Sequence, residues 1–426
     1  MKNILKNIKG TKDISAEESY IWQYIENYIH NFFDSFGYSE VRTPTFENTE
    51  LFVRGIGNET DIVSKEMFSW TDQSKKSLTL RPELTAPVVR AYIQHNMQSL
   101  GPITKLYYFD SLFRRERPQA GRQRQFHQYG VEAIGSEFPE QDAEVISIAY
   151  NIYKNFQIND LSVRINSIGS SSVRKNYLKK LRESLAKYKS FFSPISQNRL
   201  ETNALRLFDS KNPEDQTILN ENAPFIFDYI SDEDLEHFNQ LIKILKAMNI
   251  PFYHDKKLVR GLDYYTRTTF EITSKKLGAQ DALCGGGRYD KLIEQLGGKN
   301  TPAVGFAAGV ERLLMIIDHN IIKPQKSINI YVSILGEKIL SNAMSIIQDL
   351  RNLNNLSIKI ETNRRSLKAQ MREANRQNSD FVIIIGENEI SNDLIIVKDM
   401  INSNQTEIPL NDLKKKFKKI LINNNE

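Results

Sequence analysis

The stretch Arg114–Glu132, RRERPQAGRQRQFHQYGVE, decides how the rest of the chain is read. It holds five arginines, at Arg114, Arg115, Arg117, Arg122 and Arg124. An apolar run of β-type residues, LYYFDSLF, precedes it, and a second, QYGVEAIG, closes it. Strand, charged loop, strand is the simplest reading, with Pro118 and Gly121 marking the turn. Arginine grips phosphates and carboxylates with a planar two-pronged fork, so several on one hairpin point to a polyanionic substrate. A solvated hairpin tip would account for Arg122 and Arg124. It does not account for Gln128 and Glu132, whose even spacing places both on one face of the returning strand.

Composition sets outer bounds. A chain of 426 residues suggests two or three domains. Its hydrophobic content of 40% and charged content of 26% are those of a globular protein. The single cysteine, Cys284, excludes a disulfide framework and a multi-cysteine zinc site. No apolar run is long enough to span a membrane, and MKNILKNIKG has no signal-peptide core, so a cytoplasmic protein without a membrane partner is expected. A net charge of +5 permits a nucleic-acid partner without demanding one. No GxGxxG opens a helix and no GxxxxGK[ST] occurs, which argues against Rossmann and P-loop nucleotide sites.

Along the chain, Ser15 and Glu18 have capping-box spacing and predict a helix start there. Ile21, Trp22, Ile25, Tyr28, Ile29, Phe32, Phe33 and Phe36 recur at helical spacing until Gly37. Tyr38–Phe52 reads as extended around Pro44. Leu78–Glu83 reads as a strand and Thr85–His95 as a helix, so Glu83 and Thr85 sit at a junction where polar side chains can face a pocket. Asp142–Gln157 reads as a helix and Leu161–Asn166 as a strand; from Gly169 to about Pro251 the chain becomes basic and helical. Arg260–Glu271, RGLDYYTRTTFE, is rich in strand formers, and Arg260 and Tyr264 share a face if that segment is extended. The triple glycine of CGGGRYDKL allows close approach of a ligand or a strand. AVGFAAGVERLL reads as strand, turn and helix, with Arg312 near a positive helix end. After a linker at Ile321–Ser327, strands and helices alternate, which predicts an α/β domain with a mostly parallel sheet.

FRRERPQAGRQRQFHQ resembles motif 2 of class II aminoacyl-tRNA synthetases in the form used by histidyl-tRNA synthetases. RGLDYYTRTTFE and CGGGRYDKL resemble that family's own signatures, and VGFAAGVERLL resembles class II motif 3. The resemblance implies an α/β multi-domain chain: a class II antiparallel-sheet catalytic domain over 1–325, carrying a helical insertion at about 170–251, and an α/β anticodon-binding domain over 327–426. It implies a homodimer built through the motif-1-like stretch Tyr38–Phe52, with ATP, L-histidine and tRNA(His) as substrates and Mg²⁺ accompanying ATP. Arg114 and Arg260 would be the catalytic pair at the α-phosphate. Glu83, Thr85 and Gln128 would hold the histidine amino group, and Glu132, Tyr264 and Tyr265 its imidazole. Glu116 would receive the adenine amino group, Arg122 and Arg312 would grip the outer phosphates, and Gln119 would meet the tRNA acceptor end. No protein-built metal site is expected. Leu84 stands where many relatives have glycine. In the insertion, Lys175, Lys179, Lys180 and Arg182 are candidates for RNA phosphates, and in the last domain Arg364, Arg365, Lys368 and Arg372 for a basic rim. An alternative is the non-catalytic regulatory subunit of ATP phosphoribosyltransferase, which shares the catalytic fold. That subunit typically lacks the last domain, and the full set of arginines and acids here argues against it.

Overall fold

The computed structural model describes residues 4–57, 60–278, 281–322 and 327–423. Packing divides the chain into two compact units, Met1–Ile322 and Lys323–Glu426. Residues 323–326 of the expected linker lie outside the described residues. Among the described residues, no helix is long and apolar enough to cross a membrane.

The first unit opens with helix α1 (Ser19–Ser35), which starts later than its capping-box spacing predicts. Ser15 Oγ does accept from the Glu18 N–H, but that bond closes a turn ahead of the helix. Ile21, Ile25, Ile29 and Phe33 form its buried stripe. Gly37 adopts φ +74° and turns the chain away. Strands β1 (Ser39–Glu40) and β2 (Phe46–Asn48) follow. The expected extended stretch does not reach Phe52, because helix α2 (Thr49–Ile56) begins first and buries Phe52 and Ile56 one turn apart. Strands β3 (Phe68–Thr71) and β4 (Ser77–Leu80) complete a small sheet in the order β2-β4-β3. Helix α3 (Thr85–Gln94) leads to the long hairpin of β5 (Thr104–Phe113) and β6 (Gln125–Ile134), whose register is unbroken from Thr104↔Ile134 to Phe113↔Gln125.

Helix α4 (Pro139–Asn155) and strand β7 (Leu161–Ser167) precede the helical stretch: α5 (Ser171–Leu185), α6 (Pro194–Thr202), α7 (Pro213–Asn222) and α8 (Asp232–Ala247). Then come β8 (Tyr253–His254), β9 (Thr266–Ser274), β10 (Ala282–Arg288), the short α9 (Leu292–Gln295), β11 (Ala303–Gly309) and α10 (Val310–Leu314). The main sheet runs β1-β5-β6-β11-β10-β9-β7-β8, antiparallel except at its two outer pairs. Arg260–Tyr265 is irregular rather than extended: the β9–β10 ladder ends at Thr266↔Arg288, so earlier residues have no strand to pair with.

Strand alternation divides this sheet into two faces. Tyr129, Val131 and Ala133 of β6, Phe270 and Ile272 of β9, and Val304, Phe306 and Ala308 of β11 join α1, α4 and α8 in one apolar core. The opposite face carries Gln128, Gly130 and Glu132 of β6 beside Gly305, Ala307 and Gly309 of β11.

At the end of the interior strand β10 lies a buried ion pair. Arg288 and Asp142 are both fully buried, with Arg288 Nη2 at 2.6 Å from Asp142 Oδ1. Asp142 Oδ2 also accepts from Thr268 Oγ1 at 2.6 Å and lies 2.7 Å from His237 Nε2. Arg288 donates further to the Ser136 and Phe138 carbonyls. One carboxylate therefore ties together α4, α8, β9 and β10.

The second unit comprises β12 (Ile328–Leu335), α11 (Leu340–Arg351), β13 (Leu356–Ile360), α12 (Leu367–Arg376), β14 (Phe381–Gly386), α13 (Glu387–Ser391), β15 (Leu394–Asp399), β16 (Gln405–Pro409) and α14 (Leu413–Asn423). Its order is β13-β12-β14-β15-β16. The first three strands are parallel and the last two antiparallel, so the sheet is mixed rather than mostly parallel. Strand β16 has no clear signature in sequence, because it is a polar edge strand burying only Ile408.

Asp142→Asn should destabilise the first unit by about 3–5 kcal/mol, the usual cost of breaking a buried ion pair and leaving a charge unmatched. Urea unfolding followed by tryptophan fluorescence checks this, since both tryptophans lie in that unit. A change near zero would mean that Arg288 finds compensation elsewhere.

Candidate active site

A cavity of about 800 Å³ lies over the second face of the main sheet, a volume suited to enclosing small-molecule ligands. Its floor is kept low by glycine. A Cβ on Gly305 would sit 1.8 Å from Glu132 Oε2, and one on Gly285 would sit 2.2 Å from an Arg260 nitrogen. Both positions lie inside regular ladders, opposite Glu132 and Glu271 respectively. The glycines are there for clearance.

At one end three carboxyl-bearing and hydroxyl-bearing elements meet. Glu83 is 4% exposed and accepts from the Thr85 and Ala86 N–H groups at 2.7 and 2.9 Å. It is thus the carboxylate that caps α3; Thr85 is not the cap. Burial raises the Glu83 carboxyl above its ordinary value, and the two helix N–H bonds oppose that rise. Thr85 spends its hydroxyl proton on Glu132 Oε1 at 2.7 Å, which leaves its oxygen to act as an acceptor. Glu132 is 1% exposed and also receives the hydroxyls of Tyr108, at 3.3 Å, and Tyr289. Burial pushes the Glu132 carboxyl up to about 8, with the three hydroxyls holding it below what burial alone would impose. Tyr264 packs against Tyr265 and Tyr289 with ring centroids at 4.8 and 5.6 Å, closing this end with aromatic surface.

Toward the other end the lining turns cationic. Arg114 Nε donates to the Pro82 carbonyl at 2.9 Å, and its guanidinium lies 5.3 Å from the Phe126 ring centroid. Glu116 stands between Arg114 and Arg122, at 3.9 and 3.0 Å. Arg260 pairs with Glu271 at 2.5 Å. Arg312 donates to the Ala282 carbonyl, and burial, followed by the charge of Arg122, lowers its guanidinium below the ordinary value. Glu311 does not pair with Arg312; it accepts from His127, through both the backbone N–H and the ring. Cations crowded over a partly buried floor favour an entering polyanion.

Arg114, Glu116, Arg122, Arg260, Arg312, Glu83, Thr85, Gln128, Glu132, Tyr264 and Tyr265 all line this one cavity. Gln119 does not. It is exposed at the hairpin tip, where its backbone N–H and carbonyl pair with Arg122. Leu84 is buried beside Val88 and Tyr108 in a small apolar cluster. Tyr108, Tyr289 and Glu271 were not singled out in the sequence. Tyr289 and Glu271 stand inside the two signature stretches, where only even spacing and adjacency to the glycines hinted at them. The register brings Tyr108 to the site by pairing it with Gly130. In the second unit, Arg365 is bound to the buried Glu361 at 2.6 Å and Arg364 to Glu337 at 2.5 Å, while Lys368 and Arg372 are exposed on α12.

Comparison with known proteins places this geometry. A family model described as histidyl-tRNA synthetase matches residues 10–313, and one described as an anticodon binding domain matches residues 329–420. The chain is 45% identical over 382 residues to a histidine–tRNA ligase of Caldanaerobacter subterraneus subsp. tengcongensis, covering 89% of this chain and 91% of that one. Among solved structures, the apo histidyl-tRNA synthetase of S. aureus superposes with a TM-score of 0.79 at 35% identity, covering 97% of this chain and all of that one. A protein of Bacillus halodurans described as an ATP phosphoribosyltransferase regulatory subunit/histidyl-tRNA synthetase superposes with a TM-score of 0.63 at 20% identity over 91% of this chain and 99% of that one, and shares the fold.

The raised Glu132 carboxyl has a consequence for stability. Its folded value, about 8, exceeds the ordinary 4.5, so the folded state holds the proton more tightly. Glu132 therefore contributes stability that is full below about 4.5 and lost as pH rises through about 8. Thermal midpoints of the parent and of Glu132→Gln should diverge across that window, with the parent losing ground as pH rises. Parallel pH profiles would show that Glu132 is ionised throughout.

Proposed function

The chain belongs to the histidyl-tRNA synthetase family, and we propose from that premise that it joins L-histidine to tRNA(His) in an ATP-dependent, two-step reaction. The observation that carries the reading is the junction, in one cavity, of a buried acid-and-tyrosine end with a cluster of arginines over a glycine floor. The chain's 45% identity to histidine–tRNA ligases favours this over the regulatory-subunit alternative.

In the first step the histidine carboxylate attacks the α-phosphorus of ATP and pyrophosphate leaves. The nucleophile is already an anion, so no general base is needed; the work is positioning and cancellation of charge. Glu83, Thr85 and Gln128 hold the α-ammonium group. Their support is chemical: an ionisable carboxyl and a hydroxyl left with acceptor capacity stand side by side. Glu132, Tyr264 and Tyr265 read the imidazole, whose two nitrogens can each find a partner. A site built to pair a ring N–H leaves buried groups unmatched with other amino acids, which gives selectivity without an editing domain. Arg114 bridges carboxylate and α-phosphate, and Arg260 stabilises the α-phosphate from the opposite side. Glu116 receives the adenine amino group, and Arg122 and Arg312 grip the outer phosphates. Glu271 and Glu311 are engaged by Arg260 and His127, so the donor set fits a Mg²⁺ held mainly by triphosphate oxygens and water. When bound with ATP, that ion supplies further cancellation of phosphate charge. In the second step the 3′-terminal hydroxyl of tRNA attacks the adenylate, with Gln119 at the hairpin tip meeting the acceptor end.

The reading extends to assembly and location. The chain acts as a homodimer through the small sheet β2-β4-β3. Phe46 and Trp70 support this, because they are 52% and 42% exposed and sit 6.0 Å apart as one aromatic patch. The second unit, spanning the expected 327–426 domain, reads the anticodon, and 1–325 carries the chemistry. The enzyme works in the cytoplasm beside its tRNA, which fractionation of lysed cells tests.

Pyrophosphate exchange without tRNA should depend on histidine, and Arg114→Ala and Arg260→Ala should each reduce it at least about a hundredfold, the cost of losing one preorganised donor to developing charge. Exchange driven by another amino acid would overturn the assignment, and near-normal exchange in either variant would show that arginine to be misplaced.

A chain ending at Gln325 should stay dimeric by light scattering and keep exchange activity, while charging tRNA only at high tRNA concentration. A monomer would remove the dimer contact from the first unit, and unchanged tRNA affinity would remove the anticodon role from the second.

A further inference from the structure

The helical stretch between β7 and β8 does more than stand near the cavity. Tyr177, Leu181 and Leu205 from it share one buried apolar cluster with Tyr264, Tyr265 and Tyr289 of the cavity wall. Its polar contacts converge on the loop Arg260–Tyr265. Arg174, on the first turn of α5, donates from Nη1 to the Asp263 backbone carbonyl at 2.7 Å and from Nη2 to the Asp263 carboxylate at 3.0 Å. Asn203 donates to the same carboxylate oxygen at 3.3 Å. The other carboxylate oxygen lies where a side chain on Gly57 would begin: a Cβ there would stand 2.6 Å from Asp263 Oδ2, and Gly57 has φ +100°. Arg206 lies beside the same loop without bonding to it: it pairs with Asp61 at 2.6 Å, and a Cβ on Gly261 would stand 3.4 Å from its Nη2.

The carbonyl that Arg174 grips belongs to the peptide leading directly into Tyr264. The loop has no strand partner, so its shape is not set by a ladder. Among the described residues its shape is set by these side-chain bonds, by the Arg260–Glu271 pair, by one backbone bond from Asp263 N–H to the Ile56 carbonyl at 3.3 Å, and by the packing of Leu262 and the tyrosines. A planar fork that holds both a carbonyl and a carboxylate of one residue leaves that residue little rotational freedom.

We propose that Arg174, acting through Asp263, is a positioning residue for the amino-acid pocket: the insertion sets the placement of Tyr264, Tyr265 and Arg260, and so governs histidine binding before any tRNA arrives. The inference rests on the reading of those three residues given above. It differs from an RNA-contact role for the insertion, because its effect is felt in the reaction that lacks RNA.

The test is histidine-dependent pyrophosphate exchange by the full-length chain without tRNA. Arg174→Gln should raise KM for histidine about tenfold, equivalent to about 1.4 kcal/mol, and leave KM for ATP within about twofold. Asp263→Asn should shift histidine KM in the same direction. The double variant should be no worse than the poorer single one, since both remove the same contact. Arg174→Lys, which keeps one donor for the carbonyl, should recover part of the loss. Circular dichroism and thermal midpoints establish folding; if Arg174→Gln does not fold, Asp263→Asn decides the matter, because its side chain is 33% exposed and only one of its oxygens changes. Histidine KM within about twofold of the parent in every folded variant overturns the proposal. A Tyr265→Phe arm keeps the two readings apart. A shift there with none in Arg174→Gln or Asp263→Asn overturns the positioning role alone. A shift in those variants with none in Tyr265→Phe upholds positioning and removes Tyr265 as an imidazole reader.

Discussion

The structure depends on a steric constraint: nothing larger than hydrogen can stand on the central sheet beneath Glu132 and Arg260. The missing side chains at Gly305 and Gly285 are what let a buried acid and a half-buried cation lie flat against the strands. Glycine weakens a strand, and three in a row at Gly285–Gly287 weaken it more. The ladder survives because β10 is flanked on both sides, by β9 and β11, and because the opposite face of those neighbours carries Phe270, Ile272, Val304, Phe306 and Ala308 into the core. One face holds the sheet together, which frees the other to be a site.

Burial then sorts the charges. Glu83 and Glu132 are comparably buried, yet they meet different partners. Glu83 faces two helix N–H groups, whose bonds and dipole favour its ionised form. Glu132 faces three hydroxyls, which are weaker partners, and its carboxyl is pushed up to about 8. Two carboxyls a few residues apart in space thus answer differently to an incoming cation. In the reading proposed above, Glu83 is the carboxyl that meets the ammonium group. In the same reading Glu132 is the carboxyl that meets the imidazole. At the far end Arg114 and Arg312 are held by carbonyls and Arg260 by a single carboxylate, which in the reading proposed above leaves them further N–H groups for phosphate.

The helical insertion is joined to this site by apolar packing and by the Arg174 clamp on a loop without strand partners. Such a loop takes whatever shape its neighbours impose. Placing the aromatic wall of the pocket on it makes the pocket responsive to the insertion. The same residues on a ladder would have been indifferent to it.

The sequence by itself determined the arginine hairpin, the two faces of its returning strand, and the family signatures around Arg260, Cys284 and Arg312. These are local features: alternation, turn residues and charge density are written in consecutive positions. Gln128 and Glu132 on one face followed from parity alone, and the register bore that out. Three other features needed the fold. Arg260–Tyr265 looked like strand because its residues favour one, but ladder pairing is a tertiary matter and none is available there. The mixed order of the second sheet turned on β15, which returns antiparallel to β14, and on β16, an edge strand too polar to show a pattern. Tyr108, Tyr289 and Asp263 acquire their roles from partners 24, 157 and 89 residues away, at Glu132 and Arg174. A contact across such a distance leaves no trace in local sequence, since its energy exists only once burial has brought the two groups together and removed the water between them.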